Sequence, residues 1–446
     1  MPKFIIFDLD GVLLDSCQVH YDTLNQALCE IVGRKISPED HATIYNGLST
    51  RTKLAQMGIE DDAVYKRKQE LTSHAFEKLE PSDRLIHMMQ CLRSAGFSVA
   101  CASNCIRQTV ETVLKKLGIF DLFDVVFSNE DVSCPKPSPE IYQRAMEVMN
   151  FIPDDTMIFE DSFIGLQAAV ASGAAVHRVS NASDVTLEYV LNAKSNLTNH
   201  INVVIPMAGN GSRFVQAGYK DPKPFIPVFG SPMISWVVRN LGIDATYTFI
   251  IRKEFEQTYD ATAYLKKLVP DCNVVSVDHT TEGAACTVLL ARQYIDNQHP
   301  IIIINSDQYI EFEGCDTAFN VAFDFLYNPA HRAFDGVIST FDGKEHPKWS
   351  YAKVDDSGSV CEVREKDPFS PHATTGLYMW RHGCEFVRYA EQMIAKNIRV
   401  NNEFYVVPIF NEAIASGKTF YICPCVRMWG IGVPEDLDYF LTHFKH

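Results

Sequence analysis

The sequence predicts an α/β protein built from two Rossmann-like domains. Three observations carry that expectation. Short runs rich in Val, Ile and Phe recur along the 446 residues, each followed by a helical pattern, as parallel strands covered on both faces require. Two of the runs lead into turns bearing chemistry, "FIIFDLDG" at the start of the chain and "NVVIPMAGNGSRF" from Asn202. Between them, "RVSNASDVTLEYVLNAKSNLTNH" is polar and lacks a strong core signal after Val176.

In chain order, the runs read as strands at Phe4–Phe7, Ser98–Ala102, Val125–Phe127, Met157–Phe159, Val203–Pro206, Tyr247–Ile251, Asn273–Val277 and Ile301–Ile304. From Asp15 to roughly Asp83 no convincing strand appears. Stretches such as "HYDTLNQALCEIVG" instead carry apolar residues at helical spacing, so residues 16–83 read as a helical insertion after the first strand. The polar stretch then places the boundary, giving domains at 1–195 and 201–446 with no internal repeat. A chain this long can bury a core in each.

Lys and Arg number 40 against 56 Asp and Glu, a formal charge of -16, whereas nucleic-acid and anionic-membrane binders need a basic surface. Neither partner is expected, and anionic substrates must be held by local features. The 13 cysteines are scattered, with Cys423-Pro-Cys425 the only near-motif, and read as reduced thiols. With no signal-peptide pattern and no apolar stretch long enough to span a bilayer, the expected location is the cytoplasm.

Asp8 and Asp10 lie just past the carboxyl end of the first strand, where open α/β sheets bind ligands, and Gly11 lets the chain turn after them. Such a pair can divide labour, one carboxylate attacking phosphorus and the other moving protons. "SVACASNC" ends a strand at Ser103 and Asn104, which offer a hydroxyl and an amide to a phosphoryl oxygen. "SCPKPSPEIY" fixes Lys136 between two prolines, and "MIFEDSFIGLQAA" puts Glu160 and Asp161 at another strand end. Mg²⁺ takes one or two such carboxylates plus substrate phosphate. These four elements, in this order, resemble those of a haloacid-dehalogenase-superfamily phosphatase of the β-phosphoglucomutase-like branch. The resemblance implies Asp8 as nucleophile and Asp10 as general acid/base. It implies Mg²⁺ held by Asp8, the Asp10 carbonyl and Asp161 with Glu160 in support, and Ser103 and Lys136 on the phosphoryl group. The helical insertion would be the family's mobile cap, with Arg51 of "NGLSTRTKL" a candidate sugar-phosphate contact. A phosphomutase shares these motifs and stays open.

The second stretch is neither a dinucleotide fingerprint, because Phe214 stands where the last glycine belongs, nor a Walker loop, which needs a lysine after its last glycine. What remains is a strand, Gly209-x-Gly211-x-Arg213 and a rigid Pro222-Lys223-Pro224: glycines that let backbone amides approach a polyphosphate, and two cations to neutralise it. These elements resemble the signature of the sugar-phosphate nucleotidyltransferases, whose fold is a mixed, GT-A-like sheet. "TTEGAACTV" resembles the base-reading loop, "IIIINSDQ" ends at Asp307, "VREKDPFS" supplies Glu365 and Lys366, and "TTGLYMW" resembles the segment lining the sugar pocket. The resemblance implies nucleotide contacts at Ala208, Gly209, Gly211 and Gly283, pyrophosphate held by Arg213, the attacking phosphate oriented by Lys223 and Lys366, and Mg²⁺ on Asp307. One departure is that "MWGIGVPEDL" has Gly430 where a second metal-binding aspartate would fall.

The expected protein is therefore a bifunctional enzyme of nucleotide-sugar or nucleotide-polyol synthesis, of the kind that serves capsular glycans. It would take Mg²⁺ in both domains, a small phosphorylated carbohydrate, and an NTP, with CTP or UTP before the purines. A domain that only binds ligand as a sensor stays open, as does a homo-oligomer.

Overall fold

The computed structural model describes residues 3–60, 62–198, 200–313 and 317–444. The chain divides into two compact units, Met1–Leu197 and Thr198–His446. In the first, β1 (Phe4–Phe7), β2 (Ser98–Ala102), β3 (Val125–Phe127), β4 (Thr156–Glu160) and β5 (Ala175–Arg178) form an all-parallel sheet in the order β3-β2-β1-β4-β5. Strand β1 is central and buried throughout, because "FIIF" has an apolar side chain for each face. Its neighbours come from opposite directions of the strand order, so its carboxyl end lies at the topological switch point.

Between β1 and β2 the chain builds a helical cap, with helices Cys17–Val32, Thr50–Gln56 and Asp62–Phe76 around a small core of Leu24, Ala27, Leu28, Leu54 and Val64. Ser49 starts the second of these helices by accepting from the Thr52 amide at 3.2 Å, and Gly33 ends the first in the left-handed region at φ 66°.

The segment that read as coreless belongs firmly to the first unit. Val179, Val185 and Val190 are buried in the same cluster as Phe7 and Met157. Arg84 clamps the segment by donating to the carbonyls of Val185 and of Ala182, the latter at 3.3 Å. Its elements are short, a single helical turn at Ala182–Asp184 and a helix at Leu187–Leu191, too short to show a hydrophobic period in the sequence.

In the second unit β6 (Asn202–Pro206) is followed by a small hairpin, β7 (Pro227–Val228) and β8 (Ser231–Pro232). Then come β9 (Thr246–Arg252), β10 (Asn273–Val277), β11 (Ile301–Ile304), β12 (Gln308–Glu311), β13 (Gly336–Asp342), β14 (Ser350–Val354), β15 (Val360–Glu365), β16 (His372–Trp380), β17 (Phe420–Pro424) and β18 (Arg427–Gly430). The main sheet runs β10-β9-β6-β11-β16-β13-β17, with β14 and β15 attached through β16, while β12 pairs with β18 separately. It is mixed, because β16 runs antiparallel between β11 and β13. Alternate residues of β6 and β11 feed two cores, Val204, Ile301 and Ile303 one and Val203, Ile205, Ile302 and Ile304 the other. Among the described residues no helix is long and apolar enough to cross a membrane, and every cysteine is a free thiol.

If the irregular segment is part of the first core, Val185→Ala lowers that unit's stability by about 2 kcal/mol, the cost of the lost methyls and the space they leave. Urea unfolding followed by a probe in the first unit measures it.

Candidate functional site

At the carboxyl end of β1, Asp8 is 6% exposed and its Oδ1 accepts from Lys136 Nζ at 2.7 Å. The same ammonium donates to Glu160 Oε1 at 2.6 Å and to the Ala102 carbonyl at 2.8 Å. Lys136 reaches this point because Asn104 grips its backbone on both sides, accepting from its N–H at 3.0 Å and donating to its carbonyl at 3.2 Å. Burial alone would strip the lysine of its proton, but Asp8 and Glu160 outweigh burial and hold its pKa above the ordinary value. One cation cannot satisfy both carboxylates. Burial and Glu160 therefore still push Asp8 well above the carboxylate range, with Lys136 opposing. Glu160, fully buried and also accepting from Tyr142 at 2.5 Å, positions the lysine.

Asp10 turns its carboxylate to other partners. It accepts from Ser16, from His20 Nε2 at 3.0 Å and from Cys105 Sγ at 3.0 Å. Burial would raise this carboxyl, yet His20 and the donors around it hold it well below the usual range. His20 is itself lowered by burial and approached by Lys68 Nζ at 3.2 Å from its other ring nitrogen. Asp10 and His20 thus form a proton-sharing pair backed by a cap lysine. The sequence reading named neither His20 nor Lys68. The available signal was a histidine on the buried face of the first cap helix, in line with Leu24 and Leu28.

Carboxylate oxygens of Asp8, Glu160 and Asp161 lie within 4.8 Å of one another. Burial and the charges of Glu160 and Asp10 push Asp161 up to about 8. A Cβ on Gly11 would come 2.1 Å from Asp161 Oδ2, and one on Gly165 2.1 Å from the Glu160 carboxylate, so both acids occupy space that only glycine leaves. Crowded oxygen donors with one ammonium among them fit a hard divalent cation. Ser103 is buried beside them, its hydroxyl accepting from the Cys105 amide at 3.0 Å.

These groups and the inner face of the cap enclose a cavity of about 450 Å³. Asn104 ties the two together, donating to the cap's Gly47 carbonyl at 2.9 Å. Arg51, the expected cap contact, is among the residues that line this cavity. Arg51 sits at the rim with its side chain 68% exposed, paired with Asp62 at 3.3 Å and stacked over Tyr65. Two residues on, Lys53 points inward and is 8% exposed. The helix beginning at Thr50 decides this, since positions two apart lie on different faces.

In the second unit β6 runs into Met207 and Ala208, both buried, then Gly209, Asn210 and Gly211, the last in the left-handed region at φ 58°. The following helix starts at Ser212, leaving Arg213 exposed. A Cβ on Gly211 would lie 3.1 Å from the Lys223 Cβ, and Lys223 Nζ donates to Asp307 Oδ2 at 2.5 Å. Loop, lysine and aspartate are therefore contiguous. Gly283, at φ 134°, has a packing reason to be glycine, because a Cβ there would meet the Phe404 backbone at 2.4 Å. Next to Phe404, Tyr405 accepts from Lys366 Nζ, so Gly283 and Lys366 are neighbours through one dipeptide. Glu365 is bound by Ser350 and raised by burial. Counted from Trp429, the expected aspartate position of the W-x-D segment is Ile431 rather than Gly430, and Ile431 is buried. Asp436 pairs with Lys348 at 3.1 Å. Asp307 presents its carboxylate beside Lys223, with Gly432 against it, and one such carboxylate fits an Mg²⁺ ion that also takes substrate phosphate.

Residues 5–179 match the haloacid dehalogenase-like hydrolase family, and residues 202–428 match the nucleotidyl transferase family. The chain belongs to the nucleotidyl transferase family, whose match spans half of it, and carries a haloacid dehalogenase-like hydrolase domain ahead of that domain. The first domain is similar to a phosphorylated carbohydrates phosphatase of Thermotoga maritima, 26% identical over 38% of this chain and 81% of that protein. It is equally similar to a phosphoglycolate phosphatase of Thiobacillus denitrificans, 26% identical over 39% of this chain and 81% of that protein. Among solved structures, a nucleoside-diphosphate-sugar pyrophosphorylase from Vibrio cholerae is 25% identical over 54% of this chain and 100% of its own, with a TM-score of 0.46.

Asp161 gives a direct test of the acid cluster. Its folded pKa of about 8 lies above the ordinary 3.8, so the protein is penalised progressively as pH rises from the lower value through the upper. In chelator, Asp161→Asn is then more stable than the parent by a margin that grows across that window to on the order of a few kcal/mol. Adding Mg²⁺ raises the melting temperature of the parent more than that of the variant, and thermal unfolding against pH, with and without Mg²⁺, reads both effects.

Proposed function

We propose that the first unit is a phosphatase for small phosphorylated carbohydrates, working through an aspartyl-phosphate on Asp8. The second unit then transfers a nucleotidyl group from an NTP to a sugar or polyol phosphate. The observation that carries the first reading is Asp8 held by Lys136 on the floor of the cavity beneath the cap, two residues from Asp10 of the Asp10–His20 pair. The second rests on the Gly209–Gly211 loop converging with Lys223 and Asp307.

In the first reaction an Asp8 carboxylate oxygen attacks phosphorus and the ester oxygen departs, taking the proton shared by Asp10 and His20. Water then attacks the phosphorus of the aspartyl-phosphate. Asp10 accepts the water proton, orthophosphate leaves and the Asp8 carboxylate returns. Lys136 keeps Asp8 oriented and places a positive charge beside the transferring oxygens, while Ser103 offers its hydroxyl to one of them. The docked cap keeps bulk water out during the first step. Mg²⁺ bound by Asp8, Asp161 and the Asp10 carbonyl would neutralise charge on the phosphoryl group.

In the second reaction a phosphate oxygen of the acceptor attacks the α-phosphorus of the NTP, a P–O bond forms and pyrophosphate leaves. Arg213, exposed where the loop ends, is placed to take the pyrophosphate. Lys223 and Lys366 orient the attacking phosphate. Mg²⁺ held by Asp307 together with the NTP phosphates would neutralise charge on them. Such pairing of activities suits the synthesis of nucleotide-activated sugars or polyols, with CTP and UTP the first nucleotides to try.

Incubation with Mg²⁺, each NTP and a panel of sugar and polyol phosphates, following orthophosphate and pyrophosphate separately, tests both readings. Asp8→Asn lowers orthophosphate release by at least about 10³-fold and spares pyrophosphate release, whereas Lys223→Ala does the reverse by about 10²-fold or more. Orthophosphate release at the parent rate by the Asp8 variant would overturn the first reading. Appearance of an isomeric sugar phosphate in place of orthophosphate would make the first unit a mutase.

A further inference from the structure

One thiol in the first unit's cavity has no part in the reaction above. Cys105 follows β2, and its Sγ lies 3.0 Å from Asp10 Oδ2 and 3.9 Å from His20 Nε2. The imidazole nitrogen is in turn 3.0 Å from Asp10 Oδ1. One ligand atom from each of the three residues falls within 4.8 Å of the others, and all three residues line the cavity. They come from separate elements: the turn after β1, the first helix of the cap, which roofs the cavity, and the loop after β2.

Carboxylate, imidazole and thiolate are the donors that bind Zn²⁺, with bonds of about 2.0 to 2.3 Å. At tetrahedral angles such bonds put neighbouring donor atoms roughly 3.3 to 3.7 Å apart. Small side-chain shifts bring the observed spacings of 3.0 and 3.9 Å into that range. The acid cluster of Asp8, Glu160 and Asp161 is of a different kind, offering oxygen alone, as Mg²⁺ prefers, and sharing no side chain with this one. We propose that Asp10, His20 and Cys105 form a second metal site, for a thiolate-binding divalent cation of the Zn²⁺ class, with its fourth position open to the cavity. Two protons leave as the ion binds, that of the Cys105 thiol and one from the hydrogen-bonded His20–Lys68 pair, so the net charge of the pocket is unchanged. Resting on the phosphatase reading above, the ion inhibits, because it occupies the Asp10 carboxylate and the His20 nitrogen that would move the proton. It also ties the cap to the turn after β1 through His20, holding the cavity shut.

Titrating the full chain with Co²⁺, a spectroscopic substitute for Zn²⁺, tests the site without a catalytic assay. The expected result is a thiolate-to-cobalt charge-transfer band in the near ultraviolet that equimolar Zn²⁺ removes. Cys105→Ser abolishes the band and His20→Asn weakens it, whereas Cys17→Ser, which removes a thiol that also lines the cavity, leaves it in place. Thermal unfolding verifies that each variant is folded, and either of the first two suffices. In saturating Mg²⁺, Zn²⁺ suppresses orthophosphate release from p-nitrophenyl phosphate. The concentration required rises about tenfold or more in Cys105→Ser, each protein being compared with its own rate before Zn²⁺ is added. No band in the parent, a band that survives Cys105→Ser unchanged, or inhibition that excess Mg²⁺ relieves equally in parent and variant overturns the inference. The last outcome places Zn²⁺ on Asp8 and Asp161 instead. The band without hydrolysis of any ester upholds the site and removes the phosphatase reading.

Discussion

The first unit's chemistry depends on the ammonium of Lys136 between two buried carboxylates. Asp8 ends β1 and Glu160 ends β4, the adjacent strand, so the sheet brings two acids to one edge where water is scarce. Without a cation there, both would protonate or the strand ends would separate, since an unpaired buried carboxylate costs several kcal/mol. Asn104 holds that cation in place through the Lys136 backbone and also bonds the Gly47 carbonyl of the cap. The residue that fixes the charge of the floor is thus the one that fastens the roof. Cap docking and nucleophile orientation are two results of one hydrogen-bonded loop.

The second unit meets the same problem, a polyanion to be held by a chain of net charge -16, in a different way. Lys223 and Asp307 are each about a quarter exposed, and Arg213 stands in solvent. Here the loop backbone approaches the ligand because Gly211 takes a left-handed turn beside Lys223. On the proposed reading a triphosphate with its base must thread past this loop, and a buried floor of the first kind would shut it out.

Much of this was legible in the sequence where chemistry is tied to a strand end. "DLDG", "SNC", "PKP" and "FED" are local, and parallel strands bring their carboxyl ends together whatever the loops do. Roles set by helix phase were not legible. Arg51 and Lys53 are two residues apart in one short helix, and only its start at Thr50 determines which faces inward. His20 could be read as an ordinary helix residue, because its partner Lys68 arrives from 48 residues away. Strand β16 was missed as a strand because "HATTGLYMW" breaks its apolar run with Gly376, whose missing side chain makes room for Asn305. Val185 and Val190 were missed for a different reason, Val185 lying between two short helices and Val190 in one only five residues long.

The two units also divide the work of discrimination differently. In the first, on the proposed reading, the acid floor and Lys136 meet the phosphoryl group, and the inner face of the cap lines the rest of the cavity. In the second, recognition is written into backbone: Gly283 is pressed against Phe404, and the next residue carries Lys366 on its hydroxyl, so the base-side loop and the acceptor-side lysine shift together. A change of substrate in the first unit therefore needs only new cap side chains. In the second it requires moving main chain that packs directly on the Phe404 backbone, which makes the nucleotidyl transferase the more constrained of the two.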